Sequence, residues 1–386
     1  MSSEQANVTL AGWQASNEEQ SLLRDMVSNF ESNNSNINVD YNVIQSKYKQ
    51  KIKTQLGAQN APDAFYVDAK YFPSFASQGA LLNLSPYVEE SDLNTDVFFE
   101  SLINAFTWDG KLMGLPKGFN PLQMFYNKSH FDEAGATVPK SWDGWRTALT
   151  KIQDAGIVEV PMIELANCRT FKGLIYQNGG RIVNDDGSQC LLASEANIET
   201  LKYLTDMKKD GLIAIPSEIG AGWPGKGLRS EKASVGVMGM WGLPFIESKP
   251  EIDKQIDVAH LPTPSDGERG TVAYTVSYSA SANTDHPAAA YELITKLTDK
   301  SFAKEWAQMG VPSRKSLQNW EFYDEHPRRK KFIEAGEWTS IAQWGPHSEA
   351  INNRLQPQLE AAMLQEKTPQ QALETAEKKI NSEILS

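Results

Sequence analysis

Apolar and polar positions alternate with two different periods along the first third of the chain. Residues 8–10 form a short apolar run that reads as a strand. Ser16-Asn17-Glu18-Glu19 then has the form of a capping box, a hydroxyl followed three residues later by a carboxylate. Leu22, Leu23, Met26, Val27 and Phe30 continue from it at helical spacing. Ile37, Val39, Tyr41 and Val43 alternate as a second strand. Ser46 is placed to cap a second helix, in which Tyr48, Ile52 and Leu56 recur every four residues while four lysines face water. Residues 64–67 read as a third strand, entered through Pro62-Asp63. Strand–helix–strand–helix–strand at this spacing predicts a parallel sheet with helices on its faces. Ligands of open α/β sheets bind beyond the carboxyl ends of the strands. Trp13, Gln45 and Asp68 lie there and are candidates by position.

The middle of the chain is less regular. Gly110-Lys111-Leu112-Met113-Gly114-Leu115-Pro116 is a tight turn leading into an extended segment, and Met124-Phe125-Tyr126-Asn127 is a short strand. Pro139-Lys140-Ser141-Trp142 introduces a helix with Trp145, Leu149 and Ile152 on its inner face. A hairpin-like turn is expected around residues 179–187, and helices at 193–209, 286–298 and 300–309. The last helix carries its own start signal: Thr368 at the N-cap, Pro369 next and Gln371 at the third position.

Length and composition narrow the class. The 386 residues suggest two or three domains, with enough apolar content for a core that needs no metal or disulfide staple. A net charge of −12 argues against a nucleic-acid groove and against adhesion to an anionic membrane. No apolar run approaches the ~20 residues that span a bilayer. The polar start suits a chain trimmed of a secretory segment, and equally a cytosolic protein. Cys168 and Cys190 are too few for a metal cluster. Their surroundings read as polar loops, and they are either free thiols or, in an oxidising compartment, a disulfide worth roughly 3–4 kcal/mol.

Several motifs are weighed and set aside. Gly220-Ala221-Gly222-Trp223-Pro224-Gly225-Lys226-Gly227 nearly matches a phosphate-binding loop. It lacks the final hydroxyl, has no strong strand before it and carries Pro224 inside, so it reads as a flexible loop bearing a tryptophan. The five histidines are scattered without zinc-ligand spacing. No G-x-S-x-G elbow occurs. Paired carboxylates of a glycoside-cleaving enzyme meet only in three dimensions, so that class stays open as the alternative. Of the ten tryptophans, Trp142, Trp145 and Trp306 fall at core-like helical positions. Trp13, Trp223, Trp241 and Trp344 lie in segments flanked by glycine or proline. An aromatic face there can pack on the C–H groups of a pyranose, while planar polar groups take its hydroxyls.

An ordered series of motifs spans nearly the whole chain. It includes Ala61-Pro62-Asp63-Ala64-Phe65, Phe75-Ala76-Ser77-Gln78-Gly79-Ala80-Leu81-Leu82-Asn83-Leu84, the Gly110 turn and Met124-Phe125-Tyr126-Asn127-Lys128. It continues through Phe131-Asp132-Glu133-Ala134-Gly135, Gly179-Gly180, Gly236-Val237-Met238-Gly239-Met240-Trp241, Leu261-Pro262-Thr263-Pro264 and Thr368-Pro369-Gln370-Gln371-Ala372-Leu373. The sequence thereby resembles the family 1 solute-binding proteins of carbohydrate ABC importers, the group that includes maltose-binding protein. The resemblance implies an α/β fold of two lobes, each a mostly parallel sheet flanked by helices, joined by a multi-strand hinge that closes on ligand. It implies lobes of residues 1–117 with 271–318 and 118–270 with 319–386. It further implies an extracytoplasmic, monomeric, cofactor-free receptor with an ABC permease as partner, and lipid anchoring of the native form. The ligand class is a neutral di- or oligosaccharide or a glucosylated polyol. Candidate ligand contacts are Trp13, Glu18, Gln45, Asp68, Lys70, Tyr71 and Asn120, then Asn167, Arg169, Trp223, Trp241, Tyr274, Arg314 and Trp344. Relatives often carry a carboxylate at the Asn120 position, and Trp241 and Trp344 correspond to positions that stack sugar rings. Arg314 has an interlobe salt bridge as its alternative role.

Overall fold

The computed structural model describes residues 5–13 and 17–386, and side chains for all of these except Asn17 and Glu18. The chain divides into two compact units. Unit 1 comprises residues 1–119 and 274–319, and unit 2 comprises residues 120–273 and 320–386. Two long strands, Leu115–Pro121 and Thr271–Ala280, carry the chain across these boundaries.

Unit 1 begins with strand β1 (Ala6–Gly12), helix α1 (Asn17–Asn33), strand β2 (Ile37–Val43), helix α2 (Tyr48–Gly57) and strand β3 (Ala64–Asp68). β1 pairs in parallel with β2 from Ala6 opposite Ile37 to Gly12 opposite Val43, and with β3 at Leu10 opposite Ala64. The sheet runs in the order Val311–Pro312, Leu115–Pro121, Thr271–Ala280, β3, β1, β2. Thr271–Ala280 meets β3 antiparallel, because it returns to unit 1 from the opposite direction. β3 is buried along residues 64–67, as expected for a strand covered on both faces.

Unit 2 has a sheet ordered Ile256–Ala259, Gln123–Asn127, Ala233–Met238, Val160–Ile163, Ile213–Ala214. Its first two pairings are antiparallel and its last two parallel. Both sheets are therefore mixed rather than mostly parallel. The helix Trp142–Ala155 is capped by Ser141, whose Oγ accepts from Gly144 N at 3.1 Å, and ends at Gly156 with φ 64°. The capping box at Thr368 forms as read, with Thr368 Oγ1 accepting from Gln371 N at 3.2 Å.

Three local expectations are corrected, and a fourth falls on residues outside the description. Ser46 does not cap α2; Lys47 holds the N-cap position in the left-handed region at φ 54°, with no side-chain cap. The capping box at Ser16 lies outside the described residues. The segment after Gly220 is not an open loop: Pro224–Arg229 is a short helix and Trp223 packs against Phe245 with centroids 4.8 Å apart. Cys168 and Cys190 are both free and fully buried rather than in polar loops. Cys168 stands at the start of the helix Arg169–Gln177, whereas Cys190 bridges Val183 and is tied to Asn381 of the last helix, so each is held by different neighbours. No described helix is long and apolar enough to cross a membrane.

Candidate functional site

In unit 1 the sheet edge gathers the positions expected of it. Trp13 follows β1 directly and rests edge-on against Tyr48 (centroids 4.8 Å) and Tyr66 (5.1 Å). Tyr48 locks that corner by donating from its hydroxyl to Tyr66 O at 2.9 Å. Gly12 is required beside it, since a Cβ there would lie 2.8 Å from the Tyr66 ring. Asp68 ends β3 and accepts from Lys70 N at 2.9 Å, with Lys70 Nζ 3.5 Å from its other oxygen. Burial pushes the Asp68 carboxyl above its ordinary range, and Lys70 opposes that shift. Tyr71 is buried at the start of the next helix with Lys49 Nζ 5.6 Å from its ring. Gln45 is exposed after β2. Glu18 lies in the first turn of α1, and its side chain is outside the described residues.

In unit 2 one helix organises the candidates. Arg169–Gln177 presents Arg169, Lys172 and Tyr176 at three- and four-residue steps, hence on one face. Arg169 lies over the Trp241 ring at 5.7 Å, and Lys172 Nζ over the Trp344 ring at 5.6 Å. Trp344 Nε1 donates to Tyr176 Oη at 3.2 Å, and Lys172 Nζ donates to Asn352 Oδ1 at 2.6 Å. Gly239 gives the Trp241 ring its place, for a Cβ there would come within 2.1 Å of it. The helix start is fixed by Glu164, which is buried, accepts from Leu165 N at 2.7 Å and Arg169 N at 3.2 Å, and is hydrogen-bonded by Thr170 Oγ1. Burial pushes the Glu164 carboxyl up, against the hydrogen bonds that hold it. Between these two residues Asn167 Oδ1 is buried with no hydrogen-bond partner among the described residues. A polar atom left so is one that a ligand hydroxyl or water can satisfy.

The remaining candidates are distributed differently. Asn120 and Tyr274 are half-buried on the two long strands at the first positions of their units' segments. Trp223 is engaged by Phe245. Arg314 is tied within unit 1: its Nε donates to Thr298 O at 2.7 Å and its guanidinium lies over Phe98 at 4.9 Å. These contacts give Arg314 a packing role within unit 1. Lys172 and Tyr176 were missed in the sequence, although stepping from Arg169 along a helix by three and seven residues finds both. Among the described residues no group of three or more histidine, cysteine or carboxylate side chains could hold a metal ion.

The family model for bacterial extracellular solute-binding proteins matches residues 14–304. The chain belongs to that family. An arabinooligosaccharide-binding protein of Bacillus subtilis is 28% identical over 227 residues, which is 55% of this chain and 50% of that protein. The chain thus spans about half the length of that relative. Among solved structures, the ABC substrate-binding protein of Listeria monocytogenes in complex with cycloalternan superposes with a TM-score of 0.84 at 23% identity, covering 98% of both chains. The sugar-binding protein MalE of Xanthomonas citri superposes with a TM-score of 0.87 at 19% identity, covering 98% of this chain and 97% of that one. At these identities the superpositions establish the fold: a solute-binding protein built of two α/β units. As a member of an extracellular family it is an extracytoplasmic protein. These relatives are binding proteins of transport systems, not enzymes.

Proposed function

We propose that this solute-binding protein captures a neutral sugar, a di- or oligosaccharide or a glucosylated polyol, and delivers it to the transmembrane subunits of an ABC importer. The observation that carries the reading is the face of the helix Arg169–Gln177, where Trp241 and Trp344 each lie beside a cation of that helix. Flat aromatic surface next to fixed donors is what a pyranose needs, with C–H groups on the ring and hydroxyls on the donors. The glycosidase alternative has no feature in its favour. The candidate ligand contacts are Trp13, Asp68, Lys70 and Tyr71 in unit 1 and Asn167, Arg169, Lys172, Tyr176, Trp241 and Trp344 in unit 2. The ligands of these similar proteins, arabinooligosaccharides and cycloalternan, support saccharide over other solutes.

A thermal-shift screen over arabino-, malto- and chito-oligosaccharides, monosaccharides and polyols tests the reading. A ligand at 100-fold above its Kd adds about 2.7 kcal/mol to stability, a visible rise in melting temperature. No shift with any saccharide, or product formed over hours from the one that binds, contradicts it.

A further inference from the structure

Lys117 is a buried cation outside the set of candidate contacts, three positions before Asn120 on the same strand. It sits on the strand Leu115–Pro121, inside unit 1. Its Nζ donates to Glu19 Oε1 at 2.6 Å, and both side chains are buried, with 7% and 8% exposure. The same ammonium lies 3.8 Å from the Trp306 ring centroid and 4.6 Å from that of Tyr66. A desolvated ammonium against two aromatic faces and a carboxylate is a fixed point, because each partner is lost if it moves. Two arms lead from that point to the candidate surface. One runs through Glu19 into the first turn of α1, next to Glu18. The other runs through Tyr66, whose ring is the edge partner of Trp13 at 5.1 Å and leaves no room for a Cβ on Gly12.

We propose that Lys117 is a positioning residue for ligand recognition: gripped by Glu19, Trp306 and Tyr66, it sets the orientation of Trp13 and of the start of α1 from beneath. It touches no ligand itself. The bland alternative is that the pair merely stabilises unit 1. The two differ in what an apolar replacement restores. Replacing both members of a buried pair with apolar groups commonly recovers stability. It does not restore a charge-directed geometry.

The proposal rests on the sugar-binding reading, but its first readout needs no sugar. The ten tryptophans can be labelled with ¹⁵N and the Trp13 indole signal assigned by Trp13→Phe. Lys117→Met and Glu19→Gln should each move or broaden the Trp13 signal while those of Trp241 and Trp344 stay in place. Lys117→Met/Glu19→Leu should regain the melting temperature yet leave the Trp13 signal displaced, and Lys117→Arg should restore it in part. If Lys117→Met does not fold, Glu19→Gln, nearly isosteric, carries the same readout. Affinity is then measured for whichever of arabinotriose, maltose and diacetylchitobiose the unsubstituted protein binds, and a tenfold or greater loss is expected in the double variant. An unmoved Trp13 signal in Glu19→Gln and in the double variant overturns the proposal, as does wild-type affinity in the double variant. Binding of none of the three sugars counts against the sugar-binding reading, and the indole signal still decides the role of Lys117.

Discussion

Each unit hides a carboxylate beneath its candidate surface, and the two are satisfied by opposite means. In unit 1 Glu19 is met by a full charge, Lys117 Nζ at 2.6 Å, and the ammonium is itself wrapped by two aromatic rings. In unit 2 Glu164 is met by backbone N–H groups and the Thr170 hydroxyl, with the Arg169 charge a lesser contribution. Both arrangements fix the segment that follows: α1 after Trp13 in one case, the helix bearing Arg169, Lys172 and Tyr176 in the other. The lesson is that an ion pair and a dipole cage do the same positioning at different costs. The pair is fragile to loss of either member, since the survivor is a buried bare charge. The cage tolerates neutralisation, because a protonated or amidated side chain still accepts from the same N–H groups.

That contrast can be broken most sharply in unit 1. Lys117→Met removes the ammonium that donates to buried Glu19 and should cost about 3–5 kcal/mol of stability, read by chemical denaturation. A cost below ~1 kcal/mol would mean that the pair is solvated in practice. The aromatic surfaces should show the next effects. Trp344 is 5% exposed and hydrogen-bonded to Tyr176, so Trp344→Ala should destabilise by about 3–5 kcal/mol as well as weaken sugar binding. Trp241 is only half-buried, and Trp241→Ala should cost affinity at least tenfold while the melting temperature of the free protein moves little.

The burial of Glu164 predicts a pH signature. Its folded pKa lies above the unfolded value, so the unfolded chain releases its proton first as pH rises. Stability therefore falls from about pH 4.3, the unperturbed glutamate value, up to the raised folded pKa, and is level above it. Glu164→Gln should match the parent below pH 4, exceed it at neutral pH and lack this slope, as measured by denaturation across pH 3.5–8. A parent and variant with parallel profiles would refute the upward push of burial on Glu164. The smallest effect concerns the thiols. Reductant should leave melting unchanged, and Cys168 and Cys190 should alkylate only in denaturant, because both are buried and burial pushes both thiols up.

How much of this was legible in the sequence follows from the range of each signal. The βαβαβ start of unit 1 is a local pattern, and its strand ends place Trp13, Gln45 and Asp68 as read. Ser141 and Thr368 announce their helices because a cap acts within three residues. Ser46 fails for the same reason in reverse: Lys47 takes a left-handed backbone that no pattern of side chains reveals. The antiparallel pairings arise where Thr271–Ala280 and Ile256–Ala259 return to sheets begun more than a hundred residues earlier, which periodicity cannot see. Lys117 and Glu19 are 98 residues apart, and nothing near either names the other. Cys168 and Cys190 looked polar because their sequence neighbours are, although their spatial neighbours are not.

The central claim is that sugar is recognised on aromatic residues, with Trp13 the candidate in unit 1 and Trp241 the candidate in unit 2. Calorimetric titration of the sugar found by thermal shift, against the unsubstituted protein, Trp13→Ala and Trp241→Ala, tests it most directly. One-to-one binding with at least a tenfold loss of affinity in each variant is the predicted result. Undiminished affinity in either variant would remove that tryptophan from the site and contradict the account.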